Sequence, residues 1–464
     1  MNTQDTICAI ATAQGGAIGV IRISGKDAIA ITDRIFTPVG KHPLPLSERK
    51  AYTMAFGHIR QDDGEIIDEV LIGLFKSPHS YTGEDCVEIS CHGSSFILQQ
   101  VMQLLIRKGC RAAGPGEFTQ RAFLNGKMDL SQAEAVADLI ASSSAATHRM
   151  AMNQMRGGFS RELSALRERL LHLTSLMELE LDFSDHEELE FADRSELETI
   201  AGDIEKVISG LVHSFSVGNV LKNGIPVAIG GETNAGKSTL LNTLLNEEKA
   251  IVSDIHGTTR DVIEDTVNLS GITFRFIDTA GIRDTHDTIE NMGIARSFHK
   301  MEQAEIVLWV VDNTCAEAQI RQLSPRILPL CSNKQLIILL NKSDQVSAVP
   351  TKLSGLPENT VTLSISAKEK TGIQELQNLL VKTASVPELT SSDLIVTNVR
   401  HYEALSLALE DIHRVQNGLQ THLSGDFISQ DLRECLFHLA EIVGGEITTD
   451  EVLGNIFMKF CIGK

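Results

Sequence analysis

Gly231, Gly236, Lys237 and Ser238, within the stretch VAIGGETNAGKSTLLNTLL from Val227 to Leu245, have the types and spacing to hold the phosphates of a nucleotide. The glycines let main-chain N–H groups turn inward around phosphate oxygens. Lys237 supplies a point charge to the β and γ oxygens, and the Ser238 hydroxyl ligates magnesium. Asn234, Ala235 and Thr239 are counted with them as nucleotide contacts.

Four further segments follow in the order that one nucleotide site requires. GTTRD, from Gly257 to Asp261, offers Thr258 and Thr259, one of which can close over magnesium and the γ-phosphate as a switch. DTAG (Asp278, Thr279, Ala280, Gly281) ends an apolar run, so its carboxylate reaches the magnesium shell and the Gly281 N–H the γ-phosphate. NKSD (Asn341, Lys342, Ser343, Asp344) chooses the base. The Asp344 carboxylate accepts from both N1–H and the exocyclic amine of guanine, a donor pair that adenine lacks, so the expected nucleotide is GTP. SAK, from Ser366 through Ala367 to Lys368, backs the guanine with main-chain N–H groups.

In many small GTPases the residue after DTAG is a glutamine that orients the attacking water, but here it is Ile282. The acids that follow, Asp284, Asp287 and Glu290, are the candidates for that task, and the residues alone do not rank them. The side-chain carbonyl of Asn234 and the main-chain oxygens of AIVSDIHGTTRD could wrap a monovalent cation, which would take the electrostatic role of an arginine finger.

These motifs need a scaffold. The runs PVAIGG, TFRFIDTAG, EIVLWVVD, QLIILLNKSD and VTLSISA alternate with helical segments across residues 223–384, a pattern that predicts a parallel sheet covered by helices on both faces. Residues 1–126 carry short β-rich runs (AIGVIRIS, EVLIGLF, DCVEIS) and one helical pattern near 95–108, which reads as a small α+β domain. Residues 127–222 and 385–464 are helical, and Ser131 with Glu134 forms a possible capping box at the start of the first stretch. The expected architecture is therefore multidomain α/β and α, with one helical domain built from two separated stretches around an inserted α/β module.

A chain of 464 residues fits roughly two to four domains. No apolar run of about 18 residues occurs, and MNTQDTICAIATAQ lacks a basic segment before an apolar core, so a cytoplasmic protein is expected. Eight cysteines include no CxxC pair, and CVEISCH, from Cys86 to His92, has poor spacing for zinc and reads as a strand. A formal charge of −20 disfavours general adhesion to nucleic acid, so a local patch or a partner would have to present the positive charge. The acidic piece from Glu178 to Glu198 reads as a solvated loop and helix face, or as a docking surface for a basic partner.

Beyond the GTPase motifs, GVIRISG, YTGEDCVEISCHG, PGEFTQRAFLNGKMDLSQAEAVADLI, GTTRD and the terminal FCIGK closely resemble the tRNA-modifying GTPase family called MnmE or TrmE, along nearly the whole chain. That resemblance implies an N-terminal tetrahydrofolate-binding domain, a discontinuous helical domain and an inserted Ras-like P-loop GTPase domain. It also implies a homodimer formed through the N-terminal domains, with potassium-dependent approach of the GTP-bound G domains. Together with an FAD-dependent partner, MnmG or GidA, the family adds an aminomethyl or carboxymethylaminomethyl group to C5 of the wobble uridine of certain tRNAs. The one-carbon unit would come from 5,10-methylene-tetrahydrofolate, and the partner would hold most of the tRNA.

Carried over by the resemblance, potassium falls on Asn234, Ser253, Ile255 and Thr258, and magnesium on Ser238 and Thr259. The catalytic glutamate falls on Glu290, twelve residues after Asp278, and contacts to 5-formyl-tetrahydrofolate fall on Arg22, Glu88, Lys127 and Lys464. Cys461 is not in a prenylation box, because CIGK has the wrong residue types, and the resemblance places it toward the folate pocket as a candidate in the modification chemistry. Two positions depart from the family pattern: Glu232, where GRPNAGKS is common, and His256, where alanine is usual. The competing class is a switch GTPase of the ribosome-assembly type. The N-terminal segments and FCIGK speak against it, as does the lack of a basic RNA-binding appendage.

Overall fold

The computed structural model describes residues 5–13, 15–40, 43–182, 194–248, 265–277, 301–332, 334–346, 356–357, 360–384, 394–445 and 463. The chain groups into two compact units. One comprises Met1–Ala141, Ala151–Ser209 and Glu403–Lys464; the other comprises Ser142–Met150 and Gly210–Tyr402. This grouping is coarser than the boundaries read from composition.

The first unit contains a seven-stranded sheet made of β1 (Ile7–Ile10), β2 (Ile18–Ser24), β3 (Phe36–Pro38), β4 (Thr53–Arg60), β5 (Ile66–Phe75), β6 (Cys86–His92) and β7 (Arg111–Ala112). The order is β3-β4-β5-β6-β2-β1-β7, antiparallel except for β1 with β7. Helices α1 (Ala28–Asp33), α2 (Ser95–Arg107) and α3 (Glu117–Leu124) complete this part. Alternation decides the faces: Ala55, Ile59, Val70, Ile72 and Leu74 turn inward to meet Leu98, Val101 and Leu105 of α2, while Met54, Phe56 and Leu71 remain exposed.

Arg121 of α3 lies almost wholly buried and gathers three acids. It donates to the Asp5 carboxylate at 2.6 Å, to Glu117 at 3.1 Å and to Glu84 at 3.2 Å. Arg111 reaches Asp5 and Glu117 from the other side. The hydrogen bond from Arg111 holds the Asp5 carboxyl below its usual range against the opposing effect of burial. For Glu117 burial works upward, yet the bonds from Arg111 and the Gly114 N–H outweigh it and the net shift is down. Carboxyls lowered in the folded state stabilise it above their unfolded pKa values, and that stability is lost as pH falls through the folded ones. Arg121→Met is expected to cost about 3 kcal/mol, at the low end for breaking a buried pair because Arg111 still serves two of the acids. Hydrogen exchange of the α3 amides should then lose about 100-fold in protection at pH 7, with a smaller difference from wild type under acid conditions; unchanged protection would contradict the assignment.

The helical part of the first unit draws on both ends of the sequence. Helices α4 (Leu130–Ala141) and α6 (Gly158–Asp182) belong to it, whereas α5 (Ala145–Met155) and α7 (Arg194–Asn223) are divided between the two units, with residues 145–150 and 210–223 assigned to the second. Buried Leu163, Leu166, Leu170, Leu173 and Met177 repeat every three or four residues along α6, the seam by which such helices pack. The expected capping box is corrected here. Asp129 caps α4 through the Gln132 N–H at 2.9 Å, and Ser131 lies inside the helix with its hydroxyl donating to Asp129. α4 ends at Ala141, and Ser144 starts α5 by accepting from the Thr147 N–H. The acidic segment 183–193 lies outside the described residues.

The second unit carries a six-stranded sheet of β8 (Ile225–Gly230), β9 (Asp265–Leu269), β10 (Ile272–Phe276), β11 (Ile306–Asp312), β12 (Gln335–Asn341) and β13 (Val361–Ser364). Its order is β13-β12-β11-β8-β10-β9, parallel except for β9. Helices α8 (Lys237–Glu248) and α10 (Ile373–Thr383) bury Leu240, Leu244, Leu376 and Leu380 against one face, and α9 (Ala316–Leu330) buries Ile320 and Ile327 against the other. Each residue of β11 from Ile306 to Val311 is buried, as expected of a strand covered on both faces. β9 was absent from the sequence reading; it joins β10 through Ser270 and Gly271, both at positive φ as a tight hairpin turn requires.

After the second sheet, α11 (Val399–Gln420) and α12 (Gly425–Val443) follow; α12 packs along α6, and its buried Cys435 thiol donates to the Ala408 carbonyl of α11 at 3.5 Å. Among the described residues no helix is long and apolar enough to cross a membrane.

Candidate functional site

Strand β8 is central in its sheet, with β11 on one side and β10 on the other. Chain order reverses direction there, which opens a crevice at the carboxyl ends of the strands. The phosphate loop leaves β8 in that crevice and ends at the N-terminus of α8, so inward N–H groups and the helix dipole favour an anion. Two glycines have no substitute. A Cβ on Gly231 would lie 2.1 Å from the Val310 carbonyl oxygen, and one on Gly236 would lie 2.1 Å from Asn341 Nδ2, with both residues at positive φ.

Lys237 curls back over this loop, where its ammonium donates to the Gly231 and Glu232 carbonyls at 3.0 and 2.7 Å. Burial pushes its pKa down and the nearby Glu232 charge opposes that. Asn234 is exposed at φ +63°, and Ala235 next to it is buried. Ser238 and Thr239 occupy the first turn of α8.

The segments expected to read the base converge on the same loop. Asn341 is buried and works as a clamp: its Nδ2 donates to the Ala235 carbonyl at 2.8 Å, and its Oδ1 accepts from the Ala367 N–H at 2.9 Å. Thr243 of α8 adds a bond to the Ala367 carbonyl. The Ser366 hydroxyl donates to Asp344 at 2.6 Å, which fixes the carboxylate expected to read guanine. Lys342, at φ +64°, donates to Asp312 at 2.5 Å. Burial alone would raise the Asp312 carboxyl, but bonds from Lys342 and Thr314 more than offset it and the net shift is down. Asn234, Ala235, Gly236, Lys237, Ser238, Asn341, Lys342, Asp344, Ser366 and Ala367 thus form one assembly. Ser253, Ile255, Thr258, Thr259, Asp278, Thr279, Ala280, Gly281 and Glu290 lie outside the described residues.

A second cluster stands on the sheet of the first unit. Arg22 and Glu88 face each other in the β2–β6 register and pair at 2.8 Å. The Arg22 guanidinium also lies 5.5 Å from the Tyr81 ring centroid and 5.8 Å from that of Phe118, and donates to the Gly463 carbonyl at 3.4 Å. Lys127 bonds the Pro78 carbonyl at 3.0 Å and packs by Gly83, so it braces the loop that carries Tyr81 without touching Arg22 or Glu88 in any described contact. Cys461 and Lys464 lie outside the described residues. Burial pushes the Cys86 thiol up to about 12 and that of Cys91 up to about 11, so both stay protonated at neutral pH and neither suits a metal.

Residues 6–127 match the family described as GTP-binding protein TrmE N-terminus, and residues 130–461 match the MnmE helical domain. The chain belongs to the MnmE family. Within it, the tRNA modification GTPase MnmE of Bacteroides thetaiotaomicron is 67% identical over 99% of this chain and all of the relative. The protein of the same name from Flavobacterium johnsoniae is 52% identical over the full length of both. The multidomain α/β and α fold class expected from the sequence holds, with the MnmE helical match enclosing the nucleotide-binding sheet.

Residues that the sequence reading missed are Asp312, Gln319 and Thr243 around the nucleotide cradle, and Tyr81 and Phe118 beside Arg22. Asp312 carried a signal, since it ends an apolar strand at the same edge as the known motifs. The others are visible only through tertiary contact.

Proposed function

We propose that this chain, a GTP hydrolase of a tRNA-modifying family, is a cytoplasmic potassium-activated homodimer. Together with an FAD-dependent MnmG-type partner it places an aminomethyl or carboxymethylaminomethyl group on C5 of the wobble uridine of certain tRNAs. The one-carbon unit is supplied by a tetrahydrofolate, and approach of two GTP-bound G domains times the step. The partner holds most of the tRNA, in keeping with the charge of −20.

The observation that carries this reading over a ribosome-assembly switch is the Arg22–Glu88 pair, with aromatic rings against the cation and the carbonyl of Gly463, next to the last residue, bonded to it. A half-exposed carboxylate, a guanidinium and flanking rings have the donor and acceptor character that a pterin and its amide-linked tail require. A switch GTPase has no use for them. Exposed Ile18, Met54, Phe56 and Leu71 on the outer face of the same sheet support pairing of two copies there.

In the GTPase module, the hard oxygen donors fit the ions that the family uses: the Ser238 hydroxyl with Thr259 for magnesium, and the Asn234 carbonyl with the loop at Ser253, Ile255 and Thr258 for potassium. When bound, these cations neutralise the charge that grows on the phosphates as the bond to the γ-phosphate breaks. Lys237 adds its charge on the β and γ oxygens, Asp344 holds the base in register, and Glu290 orients the attacking water.

Binding of 5-formyl-tetrahydrofolate to the full chain, followed by equilibrium dialysis, tests the proposal. Wild type should bind, and Arg22→Ala should weaken binding by about 10- to 100-fold, the range for loss of one charged hydrogen bond. Failure of the wild-type protein to bind would favour the switch GTPase.

A further inference from the structure

Glu232 stands inside the phosphate loop, where an acid is an electrostatic liability: it can repel the nucleotide or neutralise Lys237. The geometry limits both: Lys237 bonds the main-chain carbonyl of Glu232 at 2.7 Å, and the carboxylate acts on it only through space. That carboxylate accepts instead from Gln319 Nε2 at 2.8 Å. Gln319 lies in α9 and is only 8% exposed, and its other amide atom, Oε1, accepts from the Asp312 N–H at 2.9 Å. Asp312 in turn receives Lys342 of the base-reading loop. A continuous polar chain therefore runs from the phosphate-loop lysine through Glu232, Gln319 and Asp312 to the lysine of NKSD.

We propose that Gln319 is a positioning residue for nucleotide binding, which tethers the Glu232 carboxylate to α9 and keeps it out of the phosphate site. The fixed amide satisfies both ends: its NH₂ can only donate to the acid and its carbonyl can only accept from the main chain, so the orientation is determined by partners on each side. Released from this tether, the carboxylate gains access to Lys237 and to the phosphates, and both outcomes weaken binding in proportion to phosphate charge. The inference concerns GTP binding itself and does not depend on the potassium and folate chemistry proposed above.

The test uses the full-length protein and three ligands that share the guanine but differ in charge: GMP, GDP and a non-hydrolysable GTP analogue. Gln319→Ala is expected to weaken the GTP analogue by about five- to tenfold, GDP less, and GMP by about twofold or less. Adding Glu232→Ala should restore most of the loss, because the charge that intrudes is then gone. A purely structural role for Gln319 predicts equal weakening of all three ligands and no rescue. Either of those results, or unchanged affinity in Gln319→Ala, overturns the proposal. Thermal unfolding of each variant checks that the comparison is made on folded protein.

Discussion

Asp344→Asn is expected to lower affinity for GTP by about 10³-fold and to raise affinity for xanthosine triphosphate over the wild type. Guanine offers two donors, N1–H and the exocyclic amine, to one carboxylate. An asparagine amide presents one acceptor and one donor, so the amine of guanine meets an N–H; xanthine has a carbonyl at that position and matches it. The bond from Ser366 at 2.6 Å and the Asn341 clamp remain available in the variant, so the pocket keeps its shape and only its hydrogen-bond polarity changes. Competition of the two triphosphates for the full-length protein reads the effect. A loss of less than tenfold for GTP would mean that another group reads the base.

Lys237→Ala should reduce GTP turnover by about 10³-fold, the upper range for loss of one preorganised charge at a developing anion. The ammonium is held over the loop by two carbonyls and is partly desolvated, so its interaction with a phosphate is stronger than one formed in water. Its substitution also leaves the Gly231 and Glu232 carbonyls without their donor. Single-turnover hydrolysis at saturating GTP separates the catalytic part from binding. A rate within tenfold of wild type would show that the charge acts only in binding.

Much of the nucleotide module was legible because its physics is local. Strands β8, β11 and β12 are covered on both faces, which forces nearly continuous apolar runs, and each motif sits where such a run ends. β9 was harder, because a five-residue edge strand with only Val267 and Leu269 buried has little periodicity to show. The helix start at 130 was misread because Ser131 and Glu134 have capping-box spacing, yet Asp129, two residues earlier, is the acceptor that caps the Gln132 N–H. Gln319 and Arg121 could not be found from local pattern at all. Their partners lie far along the chain, 87 residues away for Glu232 and 116 for Asp5, and only the fold brings them together. In the second cluster, Arg22 and Glu88 came from resemblance, and the aromatic setting of Arg22 came from the structure.

GTP turnover by the purified protein in potassium and in sodium chloride at matched ionic strength, with Asn234→Ala and Glu290→Ala alongside, tests the central claim most directly. Faster hydrolysis in potassium and suppression by both substitutions are expected if, as proposed, the cation takes the role of the arginine finger and Glu290 that of the missing glutamine. Equal rates in the two salts would contradict it and leave a switch GTPase that awaits an external activator.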